Sequence, residues 1–271
     1  MTAISLALPV RRSVPRSLGI LARQLRAELR VNVRAPEFVV PVMALPIFLY
    51  FVFGAPRAAE PMPAGTIGAF MMVGFSIYGV LNVVLFAIGE AIADERGRGY
   101  LRLVRITPLP SWAYLVAKLA LAAVLVLTVL TLIGVAGTIT GAGVSAERWA
   151  VVTAVLLVGG LAIAPLGLLI GFLARPHGAG AVALLILFPL SLASGVFMPV
   201  DQLPGVVRDI SSVTPTYHLA ELARLAAGFD ASGLPATGSA WQHVAVIAAW
   251  SAAGFAAVAL TYRRMIARQF A

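Results

Sequence analysis

Acidic and basic side chains stand closest together in one short polar segment between two long apolar runs. The segment begins with Asp94, Glu95 and Arg96, and Arg102 and Arg105 follow within it. Mixed charges of this density suit ionic contact with a complementary protein surface. A solvated connection with no partner is the alternative. The chemistry that these residues offer first is therefore docking rather than catalysis.

No other set of side chains points to catalysis or metal binding. Cysteine is absent, and His177, His218 and His243 do not stand at the spacings of zinc motifs. The phosphate-binding loop GxxxxGK followed by Ser or Thr does not occur. Neither a Ser/His/Asp set nor paired carboxylates lie within the apolar runs, which argues against an intramembrane enzyme. We expect no catalytic residue, no metal site and no cofactor bound by this chain.

The elements that position the polar segment are predicted to be membrane-spanning helices. Hydrophobic residues make up 61% of the 271 residues and charged residues 11%, with a mean hydropathy of +0.96. Six runs without charged residues can each hold a span of about 20 residues. After trimming at Gly, Pro and polar clusters, the predicted spans are 38–54, 66–90, 114–138, 149–173, 179–198 and 242–262. The expected fold is an all-α integral membrane protein whose six-helix domain covers residues 37–262.

The distribution of Lys and Arg predicts the orientation of these spans. Sixteen of the 20 basic residues fall on one side of the membrane, and the other four are Arg57, Arg148, Arg208 and Arg224. Basic residues concentrate on the cytoplasmic side, so both termini, including the tail 263–271, are expected in the cytoplasm. The net charge of +9 therefore indicates topology rather than nucleic-acid binding. The expected location is the cytoplasmic membrane.

Residues 1–36 are predicted to form a cytoplasmic segment with an amphipathic helix. Leucines recur at helical spacing from Leu18 onward, and arginines from Arg23 to Arg34 form an adjacent stripe. Such a helix lies in the headgroup layer with its leucines buried and its arginines facing anionic lipid. A soluble helix packed on a partner is the alternative. Arginines interrupt any apolar core of a signal peptide, so we expect the segment to be retained.

A second structured connection is predicted on the external side, at residues 199–235. Thr214 and Pro215 form a helix start, and Gly228 is suited to end that helix. Several charges make insertion of this stretch as a full span unfavourable. We expect short re-entrant helices that dip into the outer leaflet without crossing it.

Both connections carry the resemblance to a known family. The cytoplasmic segment, 93–114, runs from an acidic-basic-Gly stretch through Leu101-Arg102 and Thr107-Pro108-Leu109 to Tyr114-Leu-Val-Ala-Lys118. The external one begins at Ser194-Gly195 and passes Pro199 and Thr214-Pro215-Thr-Tyr217. At these positions in a six-span frame, the two segments resemble the landmarks of ABC-2 type permeases. The resemblance covers essentially the whole chain.

That resemblance implies the membrane subunit of an ATP-driven exporter of drugs, antibiotics or lipids. Two copies of a separate ABC ATPase would hold ATP and Mg²⁺, and a second permease chain would complete a homodimer or heterodimer in the lipid bilayer. A stiff cytoplasmic element must transmit the closure of the ATPases to the helices. The implied coupling residues are Asp94, Glu95, Arg96, Gly97, Leu101, Arg102, Leu103, Arg105, Thr107 and Pro108.

The resemblance also places the second and fifth spans beside the substrate path. On the second span, spacings of 3, 4 and 4 put four residues on one helical face. On the fifth, a mid-run proline predicts a kink, with two serines beyond it. Ordinary helix packing is the alternative for the aromatic face. The path candidates are Phe75, Tyr78, Asn82, Phe86, Pro189, Ser191 and Ser194.

A secondary transporter driven by an ion gradient is the main competing function. Such proteins usually carry an ionisable residue inside the membrane. None of the predicted spans has a central Asp, Glu, Lys or Arg, and Glu90 lies at the cytoplasmic end of the second. This pattern favours coupling to ATP over coupling to protons.

Overall fold

The computed structural model describes residues 17–34, 36–62, 65–100, 111–229 and 239–267. Within these ranges, six helical stretches are long and apolar enough to cross a membrane, which confirms the all-α class and the predicted number of spans. We call them spans one to six, in chain order: Val40–Arg57, Ile67–Gly97, Ala113–Thr140, Ala146–Leu173, Pro176–Ala193 and Ala240–Arg264.

Eleven α-helices lie in the described ranges. They are α1 (Ser17–Arg34), α2 (Pro36–Leu49), α3 (Ile67–Asn82), α4 (Ala91–Gly97), α5 (Ser111–Thr140), α6 (Ala146–Ile163), α7 (Pro165–Leu173), α8 (Ala179–Ala193), α9 (Gly205–Ser211), α10 (Pro215–Ala227) and α11 (Ala240–Ala267). Short π-helical and 3₁₀ pieces extend them at Tyr50–Gly54, Ala55–Arg57, Val83–Glu90, Pro176–Gly178 and Val200–Gln202. Strands β1 (Pro61–Met62) and β2 (Gly65–Thr66) pair antiparallel between spans one and two.

Polar side chains fix the starts of two spans. The Thr66 hydroxyl accepts a hydrogen bond from the Ala69 amide at 3.1 Å, which caps the first turn of α3. The Ser145 hydroxyl accepts from the Arg148 amide at 3.3 Å and does the same for α6. Each cap satisfies an amide that the helix itself leaves without a partner.

Span two forms the centre of the bundle. Its apolar stretch is 89% buried, whereas that of span six is 11% buried. Span four approaches it most closely at Gly167, where an added Cβ would lie 2.0 Å from the Val84 carbonyl oxygen. Glycine at this point lets the two backbones touch, as small residues do between membrane helices. Any displacement of span two must therefore move its neighbours.

Three helix ends differ from the prediction by five residues or more. The α11 helix continues to Ala267, beyond the predicted end of the sixth span at residue 262. Span two was predicted to end at Glu90, but the helix continues to Gly97 because the charged stretch still consists of good helix formers. Charged residues mark where a helix leaves the hydrocarbon core, but the helix itself can continue beyond that point. The fifth span was predicted to reach residue 198, but α8 ends at Ala193 because Gly195 adopts a left-handed φ of +65°.

The connection between spans five and six, predicted to be external, contains α9 and α10. The α10 helix begins at Pro215 and ends before Gly228, whose φ is +90°, as the sequence predicted. It runs antiparallel to α6, since Gly159 faces Leu219 and the Arg148 side chain faces Gly228. The Trp250 indole donates to the Val213 carbonyl at 2.8 Å, ten residues after the start of α11. These contacts fix α10 against α6 and α11. The re-entrant placement of α9 and α10 in the outer leaflet stays a prediction.

Candidate functional site

A buried cluster around Lys118 connects three separate parts of the chain. The Lys118 Nζ atom lies 2.7 Å from Glu28 Oε2 on α1 and 2.5 Å from Glu95 Oε1 on α4. The Tyr114 hydroxyl, one turn before Lys118 on α5, donates to Glu95 Oε2 at 2.5 Å. We call Glu28, Glu95, Tyr114 and Lys118 the Lys118 cluster. It connects the N-terminal helix, the end of span two and the start of span three.

The contacts within this cluster offset the cost of burying its charges. The side chains of Lys118, Glu28 and Glu95 are 2%, 6% and 25% exposed, respectively. Removing an ammonium group from water costs several kcal/mol unless opposite charges and hydrogen bonds replace the solvent. Two carboxylates surround the ammonium here, and the Tyr114 ring lies 5.6 Å from it. Breaking one of these contacts would leave an uncompensated charge, so the three elements are held together firmly.

The N-terminal helix packs on the protein through this cluster. Glu28 is buried, and Leu25 and Leu29 pack against the core, while Arg23, Arg26 and Arg30 are exposed. The predicted amphipathic division is therefore present, with part of the leucine face covered by the bundle. The placement of the arginines against anionic lipid stays a prediction.

Sequence reasoning missed the roles of Glu28 and Lys118. Two signals were available. Lys118 is the only lysine of the chain and stands four residues after Tyr114, so the two share a helical face. Glu28 is the only acidic residue in an otherwise basic helix, and it lies on the edge of the leucine stripe. Neither signal pairs the two residues, because they are 90 positions apart.

Arg96 and Gly97 join the same end of span two to spans four and five. The Arg96 guanidinium donates to the carbonyl oxygens of Phe172 and Ala174, which belong to the last turn of span four. An arginine at this place satisfies carbonyls that have no partner within their helix. Gly97 lies against Pro176 at the start of span five, and an added Cβ would come within 2.7 Å of that ring.

Of the predicted coupling residues that the structure describes, only some have exposed side chains. Asp94 and Arg98 form an ion pair at 3.5 Å, and their side chains are 47% and 81% exposed. Glu95 and Arg96 instead turn towards the chain's own helices. The other predicted coupling residues lie outside the described residues: Leu101, Arg102, Leu103, Arg105, Thr107 and Pro108. The described part of the segment is thus a junction with an exposed pair of charges.

Two of the three aromatic path candidates, Phe75 and Tyr78, meet in a second cluster near the opposite end of span two. Phe75 and Tyr78 are buried, and their rings lie 6.0 and 6.4 Å from that of Phe197. Phe53 stacks on Phe75 at 6.3 Å, and Phe188 lies 6.4 Å from Phe197. We call these five residues the aromatic cluster. It contacts spans one, two and five, and its outer members Phe53 and Phe188 are exposed.

The remaining path candidates lie apart from those rings. Asn82 is buried and donates to the Tyr78 carbonyl of its own helix at 3.4 Å, and Phe86 is half-buried on the π-helical piece. Pro189 is exposed, whereas Ser191 and Ser194 are buried. The Ser194 hydroxyl donates to the Leu190 carbonyl at 2.6 Å, and the Ser191 hydroxyl has no partner among the described residues.

Comparison with known proteins shows to which family the chain belongs. The sequence profile of the ABC-2 type transporter family matches residues 21–226, which include the Lys118 cluster and the aromatic cluster. The chain belongs to the ABC-2 type transporter family. This ABC-2 permease is 25% identical over 237 residues to YvfS of Bacillus subtilis (strain 168), a protein assigned as a transport permease. That match covers 86% of the chain and 93% of YvfS.

A second relative agrees with this assignment. The chain is 26% identical over 195 residues to the inner membrane transport permease YhhJ of Escherichia coli (strain K12). This match covers 68% of the chain and 50% of YhhJ, so the permease spans about half of that protein. The protein is therefore a multi-pass membrane permease and, like its family, not itself an enzyme. Membership of the family implies an ABC ATPase as a partner.

Proposed function

We propose that this ABC-2 permease exports a hydrophobic or amphipathic substrate, of the drug, antibiotic or lipid class, across the cytoplasmic membrane. Two copies of an ABC ATPase bind ATP and Mg²⁺ and supply the energy. A second permease chain, identical or different, completes the transporter. Both termini and the α4 end of span two face the cytoplasm, where the ATPases are.

The observation that carries the proposal is the position of α4. Asp94 of α4 and Arg98, the residue after it, are exposed and available to a cytosolic partner. Glu95, Arg96 and Gly97 contact spans three, four and five, and Glu95 is joined to α1 through Lys118. A push on α4 must therefore reach four elements at once. Coupling of this kind needs a stiff, contiguous set of contacts between the two sites.

The exposed faces of spans one and five support the presence of a second permease chain. Each carries large apolar side chains at its surface, among them Phe48 and Phe51 on span one and Leu184 and Leu185 on span five. The aromatic cluster lies between these faces and reaches the surface through Phe53 and Phe188. Aromatic rings with exposed faces suit apolar and amphipathic ligands. We propose that substrate passes along this cluster, next to the second permease.

The test uses proteoliposomes that contain the permease with the ABC ATPase that co-purifies with it, and amphipathic fluorescent dyes as cargo probes. We expect dye transport that needs ATP and Mg²⁺ and that persists when the pH gradient is collapsed. Transport by the permease alone, driven by a pH gradient, would instead establish a secondary transporter.

A matched pair of variants tests the docking role of α4. Arg98→Glu reverses an exposed charge directly after α4, and we expect recovery of the ATPase in pull-downs to fall at least fivefold. Arg263→Glu makes the same change at an exposed position near the end of α11, on the same predicted side, and is expected to leave recovery unchanged. Equal recovery with both variants would remove α4 from the docking surface.

A further inference from the structure

An apolar groove lies between span four, α10 and span six, away from both clusters described above. Its volume is about 680 Å³, within the range of pockets that hold drug-sized ligands. Ser251 supplies the only side-chain hydroxyl of its lining, and no lining residue is charged. Span six, which forms one wall, is the least buried span of the bundle. The groove is therefore open along the lipid-facing side of the protein.

The walls of the groove combine small and large side chains. The small residues of the lining are Ala154, Gly159 and Ala162 on span four and Ala248 and Ala252 on span six. Leu219 and Leu222 of α10 and Phe255 of span six complete the lining. Small residues usually let membrane helices touch, yet here spans four and six leave a long space between them. That space suits an extended hydrocarbon chain.

A cation stands beyond one end of the groove. Arg148 precedes Ala154 by six residues on α6, which places it about 9 Å further along the helix. Spacings of 7, 4 and 3 from Arg148 to Val155, Gly159 and Ala162 put it on the face that lines the groove. Its side chain is exposed and has no charged partner among the described residues.

The antiparallel α10 helix gives the same position for this cation. The Arg148 guanidinium faces Gly228, where an added Cβ would lie 2.3 Å from Nη1. Gly228 follows Leu222 by six residues, again about 9 Å beyond the groove. The positions on α6 and on α10 therefore both place the Arg148 guanidinium beyond the same end of the groove. Arg148 is also one of the four basic residues on the predicted external side.

We propose that this groove binds one phospholipid, with an acyl chain along spans four and six and the phosphate on Arg148. The guanidinium is suited to a phosphate because its planar donors match two phosphate oxygens. A headgroup at the external end and a chain pointing towards the bilayer centre match the orientation of a lipid in the outer leaflet. The site is separate from the aromatic cluster and does not depend on the direction of transport.

Native mass spectrometry of the purified permease in detergent tests this site, with palmitoyl-oleoyl phosphatidylglycerol as the probe. We expect one tightly bound lipid per chain. Ala248→Phe places a ring inside the groove and should weaken binding at least tenfold. Ala249→Phe adds the same ring to the neighbouring exposed position, which does not line the groove, and should leave binding unchanged.

Arg148→Gln and a lipid without phosphate test the headgroup contact. Arg148→Gln should weaken the phospholipid at least threefold, whereas palmitoyl-oleoyl glycerol should bind the original and variant proteins equally. Equal phospholipid binding by the original protein and Ala248→Phe would overturn the groove as the site, and equal binding by Arg148→Gln would overturn its headgroup contact. Loss of a dimer peak in Ala248→Phe, with lipid binding unchanged, would show instead that a second permease chain occupies the groove.

Discussion

At each end of the bundle, a buried or half-buried arginine donates to backbone carbonyls at the end of a neighbouring helix. At the α4 end, Arg96 donates to the last carbonyls of span four. At the α10 end, Arg224 donates to the carbonyls of Ser194 and Gly195, at the end of span five, at 2.9 and 2.6 Å. In both places an arginine from another element satisfies carbonyls that a helix leaves free.

The ion pairs at these two ends differ in how far apart in sequence their partners lie. The Lys118 cluster connects three elements that are distant in sequence, and an exposed charge pair lies one turn away. Arg224 instead pairs with Glu221 of its own helix at 2.6 Å, and its guanidinium lies 4.9 Å from the Phe70 ring. Next to it, His218 Nδ1 and His243 Nδ1 share a hydrogen bond of 2.7 Å. We therefore expect the α4 end to transmit displacement and the α10 end to hold α10 in place.

The largest effect is expected from Lys118→Met. This variant leaves Glu28 and Glu95 without their shared cation, and breaking a buried ion pair costs roughly 3–5 kcal/mol. We expect a large fall in the midpoint of thermal unfolding in detergent. The triple variant Glu28→Gln, Glu95→Gln, Lys118→Met removes all three charges and should recover most of the loss. No recovery would mean that packing, not charge, holds the cluster.

A smaller effect is expected from Arg224→Met at the other end. The variant leaves one carboxylate, that of Glu221, without its cation, whereas Lys118→Met leaves two. The two carbonyls that lose Arg224 are neutral acceptors, and their lost hydrogen bonds cost less than an uncompensated buried charge. The unfolding midpoint should fall, but by less than in Lys118→Met. Arg208→Met changes an exposed arginine of α9 and serves as the control, with no measurable shift expected. A larger fall in the midpoint for Arg224→Met than for Lys118→Met would contradict the view that the α4 end is the more tightly held of the two.

The smallest effect is expected from His243→Phe. The ring keeps its approximate volume, but His218 Nδ1 loses its partner, which costs about 1 kcal/mol for a neutral hydrogen bond. His218 keeps its other contact, since its Nε2 atom lies 2.9 Å from the Ser212 carbonyl. Trp241→Phe, at an exposed position two residues earlier, is the control. The midpoint of thermal unfolding in detergent is measured for both variants. An equal shift in the two would show that the His218–His243 hydrogen bond does not help to hold α10 in place.

Much of this fold could be predicted because a membrane constrains it strongly. Each span must be long and apolar, so the number of spans followed from the lengths of uncharged runs. Pro215 and Gly228 predicted the ends of α10 because helix starts and stops depend on local residues. Thr214 stands at the N-cap position, but its hydroxyl donates to the Ser211 carbonyl at 3.0 Å instead of accepting from the first turn. The extension of span two to Gly97 was missed because the sequence was divided at charges, which mark the edge of the bilayer rather than the end of a helix.

The site was less predictable because its contacts are not local. Glu95 was expected to face an ATPase, but its carboxylate accepts from Tyr114 and pairs with Lys118. No spacing rule pairs Lys118 with Glu28, since tertiary packing decides which charges meet. The docking role of the coupling segment and the substrate role of the aromatic cluster stay predictions.

In the proposed mechanism, the Lys118 cluster transmits motion from α4 to the spans. The most direct measurement is the amount of dye transported per ATP hydrolysed by the reconstituted complex. Glu28→Gln with Lys118→Gln keeps hydrogen-bonding groups in place but removes both ion pairs of Lys118, the one to α1 and the one to Glu95 of α4. Arg224→Lys is the control at the α10 end. We expect the ratio to fall at least fivefold in the double variant, while ATP hydrolysis continues, and to stay unchanged in Arg224→Lys. An unchanged ratio in the double variant, with normal folding, would contradict the claim.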